Sequence, residues 1–514
     1  MGPQAHPFVC RHDRPRPIPT LLLADEIREA WRNDPRDHRV ALVFIAVVTV
    51  TLRLMYLGQP MRYDESATWV YFARQPWPDA LSVYTYPSNH LFHTLLVKVA
   101  ASIAGPYPWA LRLPAFVAGV LIVPATYAVA RVLYGAGPAL FAAAIVASSG
   151  VLTLYSTNAR GYSIVILAFL LLVLLGARLM QRSERRLWIA FAVIAALGMW
   201  TIPVMLYPLG AVCVWLALTF LLQGRRAELR SLGGAIVAAA VLTALAYMPV
   251  VSREGISAVT RNAYVVPGPW LDFFDTMSLM LRDLLRSWSL GLPPLATFVL
   301  GLFGLVALRY HSRVSRLPVG IPLAAFVWSA WVLVVNHRAP FPRVFLWILP
   351  IAAALVGAGI FAVADRRPRW AALVSTRASV IAIGVAVAAF ASVVLSRTVL
   401  LSHDTGTYRD AAEAAARMRS VLRAGDRVVA AVPSNAPLAY YFDRLGIPRS
   451  YFTVSDAETQ RVIVVVDDVE RQTLNSVVAR SVVSDTARFS LLGILTKLPS
   501  STLYVFQRRA SATR

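Results

Sequence analysis

Apolar runs long enough to cross a membrane follow one another through most of this 514-residue chain. About 17–25 apolar residues in a helix span the hydrocarbon layer of a bilayer, which is roughly 30 Å thick. The runs lie at 40–57, 110–133, 138–154, 161–180, 187–202, 204–222, 232–251, 288–308, 318–335, 343–364 and 371–396. This succession predicts an α-helical polytopic membrane protein.

The composition excludes the other broad classes. The chain is 57% hydrophobic and 15% charged, whereas soluble domains have about 45–50% apolar and about 25% charged residues. A soluble enzyme, a disordered chain and a fibrous protein are therefore ruled out. The net charge of +23 would favour nucleic acid as a partner in a soluble protein. Here the basic residues lie in short clusters between apolar runs, so we interpret them as topology signals and expect no nucleic-acid partner.

Arginine clusters orient the predicted spans, because short cytoplasmic loops carry the excess of Lys and Arg. The clusters lie in the tail 1–39 and at 178–186, 225–230, 309–316 and 366–369. They predict a cytoplasmic N-terminal tail, 1–39, and a transmembrane domain, 40–396, in the inner or plasma membrane. The external segments would be 58–88, 155–160, 252–287, 336–342 and 397–514. A twelfth, shorter run lies at 90–104. A cytoplasmic start and an external end need an odd number of crossings, so we expect about eleven spans within a range of 11–13.

The external tail, 397–514, has the pattern of a small α/β domain. Strand-like runs at 426–432, 461–467 and 501–507 alternate with helical stretches at 408–422, 436–444 and 468–480. This alternation is typical of an α/β layer.

Two adjacent acids follow the first span on its outer side, in Arg62-Tyr-Asp-Glu-Ser-Ala-Thr-Trp69. Carboxylates at a membrane face are costly to desolvate and are often kept for ions, protons or catalysis. Asp64 could be a general base that takes a proton from an attacking hydroxyl, while Glu65 could hold a metal or orient a partner. The alternative is a solvated loop that carries two acids by chance.

Other polar residues gather in the same predicted external region. Asn89 and His90 enter the 90–104 run, where a structural hydrogen-bonding role is the alternative to a functional one. Arg160 lies at the edge of a predicted span, where its planar guanidinium suits a phosphate group, or where it could only snorkel to the interface. The external turn 336–343 offers the same choice for three residues, namely His337, Arg338 and Arg343.

These motifs resemble those of the GT-C superfamily of polytopic glycosyltransferases, in the branch of glycosyltransferase family 39, which includes protein O-mannosyltransferases and lipid A aminoarabinose transferases. The resemblance covers most of the chain in outline. It rests on the Asp64-Glu65 pair, Asn89-His90, Arg112-Leu-Pro114, Ala159-Arg-Gly-Tyr162, the span with Pro342-Arg343 and Pro350, and Tyr408-Arg-Asp-Ala411.

The resemblance implies a shared reaction and shared site residues. Enzymes of this kind take a sugar from a polyprenyl-phosphate donor on the non-cytoplasmic side and invert the anomeric centre. Asp64 would then be the base, Arg160, Tyr162 and Arg343 would contact the donor phosphate and lipid, and Glu65 and His90 would support the phosphate or a divalent metal ion. Whether a metal is needed stays open.

We therefore predict a membrane glycosyltransferase that moves a sugar from a polyprenyl-phosphate donor to a hydroxyl. The acceptor could be a glycan, a lipid or a protein. The alternative is a transporter or flippase of lipid-linked or anionic substrates. Transporters usually place their charges near the bilayer midplane, in repeated halves, whereas here the charges gather in outer loops.

Overall fold

The computed structural model describes residues 28, 32–86, 88–261, 264–479 and 488–509, and most of the predicted N-terminal tail lies outside them. Helices dominate this part of the chain. Seven are long and apolar enough to cross a membrane, and they are Arg36–Leu57, Pro108–Tyr134, Tyr162–Leu179, Pro203–Leu222, Arg226–Glu254, Pro342–Ala364 and Pro368–Ser396. A helix pair, Ala136–Ala147 and Gly150–Ser156, is bent by 61° and can form an eighth span. The predicted α-helical membrane fold is confirmed.

The remaining predicted runs are shorter helices. Leu91–Ala104, Pro294–Arg309 and Ile321–Asn336 are apolar, and Arg185–Thr201 covers the run predicted at 187–202. Every predicted run therefore coincides with a helix or a helix pair. How many of the shorter helices cross the bilayer stays a prediction.

One predicted boundary is wrong. The span expected at 288–308 begins only at Pro294, and residues assigned to the external loop 252–287 form another helix, Trp270–Trp288. The two helices are separated by a turn in which Gly291 has a φ of +83°, a conformation that glycine adopts readily. The prolines at positions 293 and 294 then start the second helix, because proline is favoured at a helix N-terminus.

Small residues allow the spans to pack closely. A Cβ on Gly357 would lie 2.3 Å from the Pro138 carbonyl oxygen, and one on Gly359 would lie 1.9 Å from the Phe303 carbonyl oxygen. Only glycine lets the backbones approach so closely, as is common between membrane helices. The helix Pro342–Ala364 is thereby packed against two neighbouring helices.

The C-terminal tail forms a four-stranded sheet with helices. The strands are β1 (Asp426–Ala430), β2 (Arg461–Asp467), β3 (Phe489–Lys497) and β4 (Ser501–Arg508), in the order β1-β2-β4-β3. β1 and β2 are parallel, whereas β4 is antiparallel to both β2 and β3. The helices around the sheet are Ala411–Val421, Asn435–Leu445 and Leu474–Ala479.

The predicted α/β character of the tail is confirmed, with two differences. The third helical stretch is shorter than predicted, since 468–473 form a turn and residue 480 lies outside the described residues. β3 was not predicted from sequence. Its register against β4 shifts twice, between Leu491 and Gly493 and between Ile494 and Thr496, and such bulges break the alternation that identifies a strand.

The sheet lies at one end of the helix bundle. The Tyr440 hydroxyl donates to the Pro106 carbonyl at 2.7 Å, next to the start of the helix Pro108–Tyr134. Near the other end of that helix, Arg131 pairs with Asp34 at 3.0 Å. Because a helix rises 1.5 Å per residue, the 27 residues of Pro108–Tyr134 place the contact at Pro106 and the pair at Arg131 near opposite ends of a helix that is roughly 40 Å long.

Three short helices form the loop after the first span, at the same end as the sheet. They are Tyr63–Ala67, the wider π-helix Thr68–Ala73 and Trp77–Ser82. Lys98 closes the π-helix by donating to the carbonyls of Ala73 and Gln75. π-helical turns often lie at functional sites, and this one directly follows the acidic pair.

Candidate functional site

Asp64 is held in place by the C-terminal tail. The amides of Tyr63 and Asp64 each donate to a tail carbonyl at 3.1 Å, those of Gly406 and Thr405 respectively. The first amides of a helix have no partner within it, so these carbonyls complete the start of the helix Tyr63–Ala67. A segment that follows the last span therefore sets the position of the aspartate.

Two arginines face the Asp64 carboxylate. Asp64 Oδ2 lies 3.9 Å from Arg160 Nη2 and 3.9 Å from Arg343 Nη1. Both distances exceed that of a hydrogen bond. Within the described residues, Asp64 Oδ2 and the Nε atoms of both arginines are buried without a hydrogen-bond partner. The cluster thus contains two guanidinium Nε donors and one carboxylate acceptor that make no hydrogen bond within the described residues.

Arg160 is fixed by the turn between two helices, Gly150–Ser156 and Tyr162–Leu179. Its Nη1 donates to the Ser88 carbonyl at 2.9 Å, and only 3% of its side chain is exposed. An arginine that snorkels to the membrane interface keeps its guanidinium in water. The burial of Arg160 does not fit that alternative.

A second carboxylate, which the sequence analysis did not single out, flanks Arg343. Asp404 Oδ1 lies 3.6 Å from Arg343 Nη1, and Asp404 Oδ2 accepts a hydrogen bond from the Tyr155 hydroxyl at 2.6 Å. Asp404 comes soon after the last span, as Asp64 comes soon after the first. That similarity of position was the signal available in the sequence.

Tyr162 lies within the same cluster. Its ring meets the Tyr155 ring edge to face with centroids 5.1 Å apart, and both phenols act electrostatically on Arg343. The structure thus brings together four of the residues discussed, namely Asp64, Arg160, Tyr162 and Arg343, although they are spread over 280 positions of the chain.

Glu65 points away from this cluster into the interior. Arg112 binds it through two hydrogen bonds, Nε–Oε2 at 2.9 Å and Nη2–Oε1 at 2.5 Å, and both side chains are fully buried. The amides of Arg62 and Ala159 donate to the same carboxylate at 2.8 and 2.9 Å. These four donors tie the Asp64 helix to the Arg160 turn, so the contacts favour a supporting role over metal binding.

Asn89 and His90 also connect the loops of the site. The Asn89 side chain donates to carbonyls of the preceding loop and accepts from Thr94 Oγ1 at 2.7 Å. His90 Nδ1 accepts a hydrogen bond from the Gly161 amide at 2.9 Å, beside Arg160. Both residues therefore position the turns on which the charged groups stand.

The chain is similar to known proteins in part of its sequence and in its fold. Residues 89–252 match the family model described as dolichyl-phosphate-mannose-protein mannosyltransferase. No curated protein matches the chain in sequence. ArnT from Cupriavidus metallidurans, solved bound to undecaprenyl phosphate, has a TM-score of 0.57 at 14% identity over 90% of this chain and 97% of ArnT. Its apo structure also has a TM-score of 0.57, at 15% identity over the same shares.

The chain has a GT-C fold. The resemblance predicted from the motifs is confirmed, and it extends over nearly the whole ArnT chain. At 14% identity this likeness establishes the architecture, and the chemistry has to be argued from the residues of the site.

His337 and Arg338 are the other predicted phosphate contacts. They follow the helix Ile321–Asn336, and His337 adopts the left-handed conformation with a φ of +47°. Its ring lies against the Trp270 ring, with centroids 3.8 Å apart and an angle of 54° between the planes. The described contacts of His337 therefore join it to the helix Trp270–Trp288, whereas the Arg338 Nε is buried without a hydrogen-bond partner among the described residues. The phosphate role of these two residues stays a prediction.

A metal is not readily held by the predicted candidates. Within the part of the chain that the structure describes, no three His, Cys, Asp or Glu side chains group as a metal site. Both oxygens of Glu65 accept from donors of the protein, and Asp64 and Asp404 are separated by the Arg343 guanidinium. Because a metal needs several free ligands, the fully engaged Glu65 carboxylate does not fit as a member of its binding set.

Proposed function

We propose that this protein is a membrane glycosyltransferase that uses a polyprenyl-phosphate-linked sugar. It transfers the sugar to a hydroxyl acceptor at the outer face of the membrane, with inversion of the anomeric centre. The observation that carries the proposal is Asp64 Oδ2, which lies 3.9 Å from two guanidinium groups and is left without a hydrogen bond among the described residues.

The roles follow from the chemistry of a single displacement. The acceptor oxygen forms a bond to the anomeric carbon while the bond from that carbon to the phosphate oxygen breaks. Asp64 accepts the proton of the acceptor hydroxyl, and the polyprenyl phosphate leaves with the electron pair of the broken bond. Attack opposite the leaving group inverts the anomeric centre.

Arg160 and Arg343 are placed to bind the donor phosphate. The phosphate and the Asp64 carboxylate are both anions, so they can lie near one another only if cations stand between them. A guanidinium offers several N–H donors in one plane and binds phosphate oxygens in pairs. The positive charge also stabilises the additional negative charge that the phosphate gains when it leaves.

The comparisons support the same donor class. The family model that matches 89–252 is described by its use of dolichyl phosphate mannose, and ArnT was solved with undecaprenyl phosphate. Dolichyl phosphate mannose and undecaprenyl phosphate both contain a polyprenyl chain on a phosphate. A chain of membrane helices has apolar surface along which such a lipid tail can lie, because the tail is as apolar as the bilayer core.

The proposal is tested with purified protein in detergent, a panel of polyprenyl-phospho-sugars and a cell-envelope extract as the acceptor source. Release of free polyprenyl phosphate is measured for the wild type, Asp64→Asn and the control Asp275→Asn, which changes an exposed aspartate outside the site. We expect Asp64→Asn to lose about 10²–10⁴-fold in rate, the usual contribution of a general base. The control should retain the wild-type rate.

Two outcomes would contradict the proposal. An Asp64→Asn rate within a fewfold of wild type would remove Asp64 from the role of base. Wild-type protein that moves the intact donor across vesicle membranes, without releasing polyprenyl phosphate, would instead support the transporter or flippase alternative.

A further inference from the structure

Four tyrosines lie near one another beside the helix that carries Asp64, and we refer to them as the tyrosine shelf. They are Tyr63, Tyr71, Tyr86 and Tyr264. Tyr63 directly precedes Asp64 in its short helix. The rings of Tyr71 and Tyr86 lie 5.7 Å apart with an angle of 47° between their planes. The phenols of Tyr71, Tyr86 and Tyr264 and the Asp64 carboxylate all lie within electrostatic range of the Tyr63 phenol.

The shelf is open to the outside. Tyr86 is 43% exposed and Tyr264 is 63% exposed, while Tyr63 and Tyr71 are half-buried beneath them. Exposed apolar surface that is rimmed by polar groups often marks an interaction site or a ligand-binding groove. The mechanism above gives these residues no task, because Asp64 and the arginines account for the base and the phosphate.

The shape and chemistry of the shelf suit a sugar ring. A tyrosine presents a flat apolar face and a hydroxyl that both donates and accepts hydrogen bonds. A sugar ring has the matching surface, with C–H groups on its faces and hydroxyls around its edge. Binding sites for small polar molecules commonly combine aromatic walls with a few hydrogen-bonding groups in this way.

The charges next to the shelf do not favour an anionic acceptor. Arg449 acts electrostatically on Tyr71, but its Nε and Nη2 bind the Asp443 carboxylate at 2.7 and 2.5 Å. Arg160 and Arg343 face Asp64. Arg449 is thus paired, and Arg160 and Arg343 are assigned above to the donor phosphate, so an uncharged acceptor fits better than an anionic lipid.

Tyr63 is suited to hold a hydroxyl and not to deprotonate it. Burial, with smaller contributions from Tyr71 and Asp64, raises the pKa of Tyr63 to about 12. Its phenol therefore stays neutral at physiological pH and can donate a hydrogen bond while Asp64 acts as the base.

We propose that the acceptor is a glycan whose terminal sugar ring stacks on the tyrosine shelf and directs one hydroxyl at Asp64. This inference rests on the proposed function, and it selects among the acceptor classes that the sequence left open. The rings of Tyr86 and Tyr264 supply the stacking surface, and the hydroxyl of Tyr63 orients the sugar beside the base.

The test measures binding, so that it does not depend on turnover. Full-length protein in lipid nanodiscs is titrated with manno-, arabino- and galacto-oligosaccharides of about five units, and saturation-transfer NMR reports sugar protons in contact with aromatic rings. The variants are Tyr86→Ala, Tyr264→Ala and Tyr86→Phe. The control is Tyr310→Ala, which lies among arginines at 309, 313 and 366, away from the site. Undecaprenyl phosphate is titrated separately against every variant.

We expect at least one oligosaccharide to bind the wild type. Tyr86→Ala and Tyr264→Ala should each weaken that binding at least tenfold, whereas Tyr86→Phe and Tyr310→Ala should change it less than threefold. The affinity for undecaprenyl phosphate should be unchanged in all variants, which also shows that they are folded.

The inference is overturned if no oligosaccharide binds the wild type, or if the two alanine variants bind as the wild type does. If undecaprenyl phosphate binds and polyprenyl-phospho-sugar is consumed with peptide or lipid acceptors alone, the acceptor class is wrong and the proposed function stands. If undecaprenyl phosphate does not bind the wild type, the proposed function itself fails, whatever the oligosaccharides do.

Discussion

Arg343 Nη1 lies 3.6 Å from Asp404 Oδ1 and 3.9 Å from Asp64 Oδ2, so one guanidinium is shared by two carboxylates. Asp404 is fixed by the Tyr155 hydroxyl and is also more exposed than Asp64, at 36% against 16% of the side chain. This arrangement suggests that Asp404 holds the arginine in place while Asp64 reacts.

Replacing Asp404 should therefore weaken the donor site without removing the base. We expect Asp404→Asn to raise the Kd for undecaprenyl phosphate about three- to tenfold, because Arg343 loses one of its two anionic partners and becomes less ordered. The single-turnover rate at saturating donor should fall much less than in Asp64→Asn. A loss of rate as large as that of Asp64→Asn, with unchanged donor binding, would instead assign Asp404 to the chemical step.

The two arginines should contribute separately to donor binding. Each charge-assisted hydrogen bond is worth about 1.5–3 kcal/mol, so Arg160→Ala and Arg343→Ala should each weaken the affinity for the donor about ten- to a hundredfold. Lysine variants should recover only part of this loss, since an ammonium cannot reproduce the planar fork. Donor titration with saturating acceptor measures the effect, and Arg286→Ala, whose side chain is 63% exposed, is the control. Unchanged donor dependence in both alanine variants would place the phosphate elsewhere.

Glu65 should matter for folding more than for any ion. Glu65→Gln would leave the Arg112 guanidinium charged in a fully buried position, and breaking a buried pair in this way costs about 3–5 kcal/mol of unfolding free energy. We expect a marked fall in the unfolding temperature, followed by tryptophan fluorescence, and added Mn²⁺ or Mg²⁺ should not reverse it. The control Glu184→Gln removes an exposed pair with Arg186 and should have little effect. Recovery of stability or activity by a divalent cation would point to a metal at Glu65.

The membrane-spanning helices of this protein could be predicted from its sequence more easily than its other elements and its side-chain contacts. The spans were predictable because a bilayer demands an apolar stretch of fixed length, and that demand is local in sequence. The helix Trp270–Trp288 escaped notice because its apolar and charged residues are interleaved, so it does not form an apolar run. β3 was missed because its bulges interrupt the alternation.

The residues of the site likewise fall into those that could be predicted from the sequence and those that could not. Asp64, Arg160 and Arg343 were recognisable as charged residues at the ends of apolar runs, and a family resemblance grouped them. Nothing local in the sequence predicts that Asp404 would pair with Arg343, which is 61 positions away, or that Glu65 would turn inward towards Arg112. His337 lies in the same predicted external turn as Arg343, and nothing local in the sequence predicts its contact with Trp270.

The orientation in the membrane, which rests on the arginine clusters, can be tested directly. In a chain with Cys10 and Cys213 replaced by serine, Ala457→Cys should react with a membrane-impermeant maleimide in intact cells. Ala227→Cys, which is also exposed but lies in an arginine-rich connection, should react only after the cells are opened. The opposite labelling pattern would place the sheet and Asp64 in the cytoplasm and exclude transfer on the outer side.

Stability of the tail should depend on pH through Asp467. Asp467 is the last residue of β2 and is buried, and burial raises its pKa from 3.8 to about 6. Between those values the folded tail holds a proton that the unfolded chain releases, so stability should fall as the pH rises through this window, by up to about 3 kcal/mol.

Calorimetry of the full-length protein between pH 4.5 and 7.5 measures this dependence. Asp467→Asn should flatten it, and because Asp467 lies in the sheet, we expect donor turnover to persist. A pH dependence identical in the wild type and the variant would assign the titration to another group. Loss of turnover equal to that of Asp64→Asn would show that the tail takes part in the chemistry.

The Tyr63 amide donates to the Gly406 carbonyl and the Asp64 amide donates to the Thr405 carbonyl. These two hydrogen bonds determine when during synthesis the Asp64 helix can reach its final position. During translation the Asp64 loop is among the first segments to emerge, whereas residues 405 and 406 appear only after the last span has been synthesised. Until then the aspartate has no fixed partner for its amide, and the Asp404 that steadies Arg343 is also missing. Under the proposed function, the newly inserted helices hold no organised reaction centre, and donor lipids meet one only after residues 405 and 406 have been synthesised.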